Sequence, residues 1–148
     1  MAILNLTKNP ATPEQRESGV IEIKDELKDK LNALLSFTEL PDRKEIMDRV
    51  HRLSSLIYKH LTGVDKEWHL FYDHEIGAEL SKADIDAILI GGEPYLMGPL
   101  ELEIENYSTA VYAFYKETSV MAETEDGLPI EHVLRTHVGF VKSITSDL

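Results

Sequence analysis

Three stretches of this chain carry residue types that bind or cut a phosphorylated ligand. The first is Gly91-Gly92, which closes the apolar run Ile85 to Ile90 just ahead of Pro94. Glycine permits positive φ and lets a ligand approach the backbone closely. A helix opening at Pro94 adds unsatisfied N–H groups and the positive end of a helix dipole, which favour an anion. The second is Thr7-Lys8-Asn9, a hydroxyl, a cation and an amide directly after the apolar Ala2 to Leu6. The third is Lys116 and Thr118, after the apolar run Ser108 to Tyr115, followed later by Arg135 and His137. Thr7, Lys8, Asn9, Gly91, Gly92 and Thr118 are the expected ligand-binding residues. Lys116, Arg135 and His137 are the expected catalytic set, with Arg135 clamping a phosphate and His137 moving a proton.

Such a set suits metal-independent phosphodiester chemistry. Attack by a ribose 2′-hydroxyl needs only positioning and charge stabilisation. Nothing in the sequence implies a metal or an organic cofactor. There is no cysteine, and His69, Asp73, His74 and Glu75 match no metal-ligand spacing. Neither a GxGxxG fingerprint, a Walker lysine nor a GxSxG elbow is present. Glu93 opposes a bound phosphate unless it points away. Glu101, Glu103 and Glu105 read as a solvated helix face.

The elements that position these residues follow from periodicity. Ala2 to Leu6 reads as a short buried strand. Thr12, Pro13 and Gln15 form a capping-box signature for a brief helix that Gly19 ends. Val20 to Ile23 reads as a small strand. Leu27, Leu31, Leu34 and Leu35 share one helical stripe, as do Ile46, Val50, Leu53, Ile57 and Leu61. Asp42 caps the second of these helices and Gly63 closes it, which gives an αα-hairpin. Residues 64–83 fit neither period, although Trp68, Leu70, Phe71 and Tyr72 are apolar enough to be buried.

Ile85 to Ile90 is a strand, and a helix follows from Pro94 to about Asn106, with Pro99 either kinking it or marking its first turn. Ser108 to Tyr115 reads as a strand covered on both faces. Thr118 to Glu123 and Ile130 to Lys142 read as a closing hairpin, with turns at Glu125-Asp126-Gly127 and near Arg135-Thr136. On an extended strand, Arg135 and His137 share one face, while Ile130, His132, Leu134, Val138 and Phe140 line the other. The expected fold class is α/β: a single three-layer, Rossmann-like domain with a mainly parallel sheet, an αα-hairpin and an antiparallel C-terminal edge. In such a sheet, ligands lie beyond the carboxyl ends of the strands.

Composition narrows the partners. The chain has 148 residues and a net charge of −12. Residues 1–63 are balanced with ten basic and ten acidic side chains, whereas residues 64–148 hold five against seventeen. That acidic half repels duplex nucleic acid. The N-terminus carries no signal-peptide pattern, and no apolar run approaches a membrane span, so a cytoplasmic protein is expected.

Asn5-Leu6-Thr7, Ala11-Thr12-Pro13-Glu14-Gln15, Ile90 to Leu100, Tyr112-Ala113-Phe114 and Val138-Gly139-Phe140-Val141 resemble blocks of a family of small phage and mobile-element proteins. In that family a serine and an arginine follow the Tyr-Ala-Phe block, where Tyr115 and Glu117 stand here. The strand-to-loop opening is also similar to that of small CRISPR-associated Rossmann-like proteins, some of which bind or cut cyclic oligoadenylates. The resemblance implies a small nucleotide-type ligand, such as a cyclic oligonucleotide, held with or without turnover. A two-fold symmetric ligand of that kind suits a homodimer. The alternative is an acidic module that docks on a basic host protein and takes no small ligand.

Overall fold

The computed structural model describes residues 1–67 and 72–143. Its chain order is β1 (Ala2–Asn5), α1 (Pro13–Glu17), β2 (Val20–Glu22), α2 (Asp25–Leu34), α3 (Arg43–Thr62), α4 (Tyr72–Lys82), β3 (Ile85–Leu89), α5 (Pro94–Glu105), β4 (Ala110–Glu123) and β5 (Pro129–Lys142). The strands form one five-stranded sheet in the order β2-β1-β3-β4-β5. The pairs β1–β2, β1–β3 and β3–β4 are parallel, and β4–β5 is antiparallel. The fold is therefore α/β, mainly parallel and Rossmann-like, with an antiparallel edge.

Strand alternation divides the core. Leu4 and Leu6, with Ile88 and Ile90, join the apolar stripes of α2, α3, α4 and α5 in one large cluster. Ile3, Val20, Ala87, Leu89 and Val111 face the other way and meet Ala11, which leads into α1. The sheet thus has layers on both faces, one thick and one thin.

The helix boundaries follow the local chemistry. The Asp42 side chain accepts the Glu45 N–H at 2.8 Å, and Gly63 ends α3 at φ +76°. The Arg49 guanidinium lies 4.5 Å above the Phe37 ring and donates to the carbonyls of Ala33, Leu34 and Ser36, which closes the αα-hairpin. Pro99 lies inside α5, which opens at Pro94. Part of the stretch that fitted no period is α4, with Tyr72, Ile76 and Leu80 buried at helical spacing. Trp68, His69, Leu70 and Phe71 lie outside the described residues, while Asp73, His74 and Glu75 sit in the first turns of α4.

Three expectations are corrected. The run Ser108 to Tyr115 is not covered on both faces: only Ala110 and Val111 are buried, and Phe114 and Tyr115 are exposed. β4 pairs with β3 only at Ala110 and Val111, then continues with β5 as a two-stranded ribbon. No turn occurs near Arg135-Thr136, because β5 runs unbroken through both residues. The acidic face of α5 is not simply solvated. Glu103 is only 8% exposed, Glu101 accepts the Tyr112 hydroxyl, and Glu105 accepts the Ala110 N–H at 3.1 Å.

One histidine ties the fold to pH. His60 Nδ1 accepts the Lys24 N–H at 3.1 Å, a contact that requires the uncharged ring. Burial, and then the neighbouring Lys24 charge, lower its pKa below the ordinary 6.5. The unfolded chain therefore binds the proton more readily, so this contribution is present above pH 6.5 and is lost as pH falls below it. Melting scans at pH 7.5 and 5.5 should show a lower midpoint in acid, and His60→Asn should flatten the difference. His51, shifted the same way by burial, leaves a residual slope in that variant. An unchanged pH profile in His60→Asn would remove His60 from this account.

Candidate functional site

The loop after β1 departs toward α1 and β2, whereas the loop after β3 departs toward α5 and β4. Neighbouring parallel strands whose connections diverge leave a crevice beyond their carboxyl ends. A cavity of about 320 Å³ occupies that place. Thr7, Lys8 and Asn9 form one wall, and Leu89, Ile90, Gly91, Gly92 and Glu93 form another. Gln15, Leu35, Tyr112, Ala113 and Tyr115 complete it. Five of the residues expected from the sequence, namely Thr7, Lys8, Asn9, Gly91 and Gly92, are thus brought together.

A buried amide builds the first wall. Asn5, 2% exposed, ends β1. Its Oδ1 accepts the Thr7 N–H at 3.0 Å and the Thr7 hydroxyl at 2.7 Å. Its Nδ2 donates to the Asn9 carbonyl at 2.9 Å and to Glu22 Oε1 at 3.0 Å. The same Glu22 oxygen accepts the Ala11 N–H at 2.9 Å. One side chain therefore folds the loop back on itself, as Asx residues do at turns. Asn5 was not among the expected site residues, although a lone amide in an apolar strand end is a legible signal.

The second wall is nearly bare backbone. Gly92 has φ +151°, a conformation that L side chains rarely adopt. A Cβ on Gly91 would lie 3.5 Å from Thr7 Cγ2, in ordinary contact across the crevice. Pro94 opens α5 without an N–H of its own, so the Tyr95 amide is among the orphan donors of the first turn. Leu96 and Met97 already donate to the Glu93 carbonyl.

Gln15 forms the floor toward the ribbon. It is buried, and its Oε1 accepts the Thr12 N–H at 3.0 Å, completing the expected capping box. Its Nε2 donates to the Tyr115 hydroxyl at 2.8 Å and lies 3.5 Å from His137 Nδ1. Tyr115 thereby keeps its own O–H proton for another acceptor. Burial, followed by the hydrogen bond to Glu101, pushes the Tyr112 phenol above its ordinary value, so it stays a donor.

The expected catalytic residues are not gathered in this cavity. Lys116 and Thr118 are not in a loop: they pair with Thr136 and Leu134 on one face of the ribbon. Arg135 and His137 lie on the opposite face, paired with Glu117 and Tyr115. Arg135 Nε donates to Glu117 Oε1 at 3.0 Å, so its charge is already engaged. The ladder passes from Tyr115↔His137 to Phe114↔Gly139, which leaves Val138 as a bulge. That bulge reverses the alternation and brings Phe140 to His137, with ring centroids 4.8 Å apart. Simple alternation had placed Phe140 on the far face.

A larger, more open cleft of about 600 Å³ lies among α2, α3 and residues 65–67. Charges of both signs line it, including Lys30, Asp48, Arg52, Asp65 and Lys66. It is lined by polar and charged residues alone and by none from a strand end, so the smaller cavity is the better ligand site. The chain matches no family model, no curated protein and no solved structure. No described helix is long and apolar enough to cross a membrane.

Proposed function

We propose that the crevice between the β1 and β3 loops binds a small phosphorylated ligand of the nucleotide class. The observation that carries this reading is a cavity at the switch point of the sheet, with Gly91-Gly92 and the start of α5 on one side and Asn5-braced Thr7-Lys8-Asn9 on the other. Lys8 is the one cationic side chain in the lining and Glu93 the one acidic side chain, so backbone N–H groups, with the Tyr115 hydroxyl, carry most of the anion recognition. The Thr7 and Tyr112 hydroxyls already donate to Asn5 and Glu101. Leu35, Leu89, Tyr112 and Tyr115 offer an apolar and aromatic surface for a base or sugar. The volume suits a mononucleotide-sized group; a larger cyclic ligand would extend out of the crevice. Binding is favoured over cleavage, because Lys116, Arg135 and His137, the expected catalytic set, are not among the lining residues.

A thermal-shift panel of mononucleotides, dinucleotides and cyclic oligonucleotides tests this. A ligand at 100 times its Kd adds about 2.7 kcal/mol, which corresponds to roughly 5–10 °C for a chain of this size. Gly91→Leu should abolish the shift, because the new side chain enters the crevice toward Thr7. Its unliganded midpoint should stay within about 1 kcal/mol of the original, since Gly91 needs no positive φ. No shift from any ligand class, or an unchanged shift in Gly91→Leu, would overturn the reading.

A further inference from the structure

Beyond Val111 the β4–β5 ribbon leaves the body of the sheet, and large apolar side chains are exposed on both of its faces. Tyr115, Met121 and Val133 lie on one face, and Phe114, Val120 and Leu134 on the other. Met121 is 64% and Val133 58% exposed, values that a solvated arm does not call for. A two-stranded ribbon alone in water is marginal, and contiguous exposed apolar surface marks an interaction site.

The outer edge of β5 is terminal in the sheet among the described residues. Pro129 opens the strand and Lys142 ends it, but the stretch from Ile130 to Thr136 carries neither proline nor lysine, the usual protections of an edge. Its charges also have a self-complementary pattern. Glu131 and Arg135 flank Val133 at equal distance, on the same face. An antiparallel copy of β5 centred on Val133 therefore sets each Glu131 opposite the other copy's Arg135. On the other face, Ile130 meets Thr136 and His132 meets Leu134, with no like charges opposed. A basic or acidic partner strand satisfies only one of the two charged positions, whereas a second copy satisfies both.

We propose that β5 pairs with β5 of a second copy of this chain, in an antiparallel register centred on Val133, to give a two-fold dimer with one continuous sheet. The interface is isologous and closes, so it produces dimers rather than fibres. Main-chain hydrogen bonds along the edge supply the pairing, and Ile130 and Leu134 gain the other copy's Thr136 and His132 as lateral neighbours on the same face. Arg135 retains donors for both its own Glu117 and the facing Glu131.

The test is the mass of the full chain in solution, by light scattering at high micromolar concentration, with charge reversals. The original chain should run as two copies of 16.8 kDa. Glu131→Arg alone, or Arg135→Glu alone, should weaken the dimer by at least about tenfold, because each places like charges opposite one another twice. Mixing the two variants restores every pair, so a heterodimer should form. Val133→Lys should give a monomer, with circular dichroism confirming that it is folded. A monomeric original chain, single reversals that dimerise normally, or a mixture that stays monomeric would each overturn the proposal. A reversal that merely damaged its own ribbon would not be rescued by mixing.

Discussion

Gly19→Ala should lower the melting midpoint by roughly 8–16 °C, a loss of about 4 kcal/mol. Gly19 sits at φ +103° between α1 and β2. A Cβ there would lie 1.8 Å from the Met1 carbonyl oxygen and 3.0 Å from its carbon. Both are backbone atoms, so no side chain can swing aside. The same glycine carbonyl accepts the Ile3 N–H at 2.9 Å, next to the Ile3↔Val20 pair. Relieving the clash therefore pulls β1 away from β2. Gly127→Ala separates the two contributions. It sits at φ +74° in the ribbon turn with open space around it, so it bears only the conformational cost, about 1 kcal/mol. Equal losses in the two variants, measured by thermal or urea unfolding, would show that Met1 simply moves away from the new methyl group.

The contrast between these glycines shows what was legible. Gly19 and Gly63 read as helix ends, and Asp42 as a cap, because those signals are local. The cavity was half legible for a related reason. Strand ends and the loops that follow them are local features, so Thr7 to Asn9 and Gly91-Gly92 could be placed at one edge once the parallel order was assumed. Gln15 could not be read in its full role, since its contact with Tyr115 spans 100 residues. The ribbon misled for a physical reason. Ala110 to Tyr115 is as apolar as a buried parallel strand, but its third to sixth residues have no β3 partner. An apolar run reports that a strand needs covering. It does not report whether the same chain supplies the cover. The face assignment at Phe140 failed because one bulged residue, Val138, inverts the alternation, although Gly139 beside it is the kind of strand glycine that marks a bulge. Tyr72, Ile76 and Leu80 do carry a helical period, but it is masked by the denser apolar cluster that precedes them.

Asn5 is where fold and site are most tightly joined, and it sets the second large expectation. Asn5→Ala removes one acceptor and one donor group from a buried position, leaving the Thr7 N–H and the Asn9 carbonyl without that partner. The expected cost is about 2–4 kcal/mol, because buried groups lose their partners rather than exchange them for water. The loop that walls the cavity then loses its brace, so the ligand-induced thermal shift should vanish in the same variant. Asn5→Asp distinguishes bracing from mere packing. It keeps the acceptor for Thr7 but sets a carboxylate where Nδ2 now lies 3.0 Å from Glu22 Oε1. Two carboxylates at that distance favour sharing a proton, which raises an acid's pKa in the folded state. The folded protein then binds more protons than the unfolded one, so stability rises as pH falls. That is the reverse of the trend His60 imposes on the original chain. An Asn5→Asp protein that is relatively more stable at pH 5.5 than at pH 7.5 would establish the Asn5–Glu22 contact as the brace. A pH profile parallel to the original would mean that the loop is held by Glu22 and the Ala11 N–H alone.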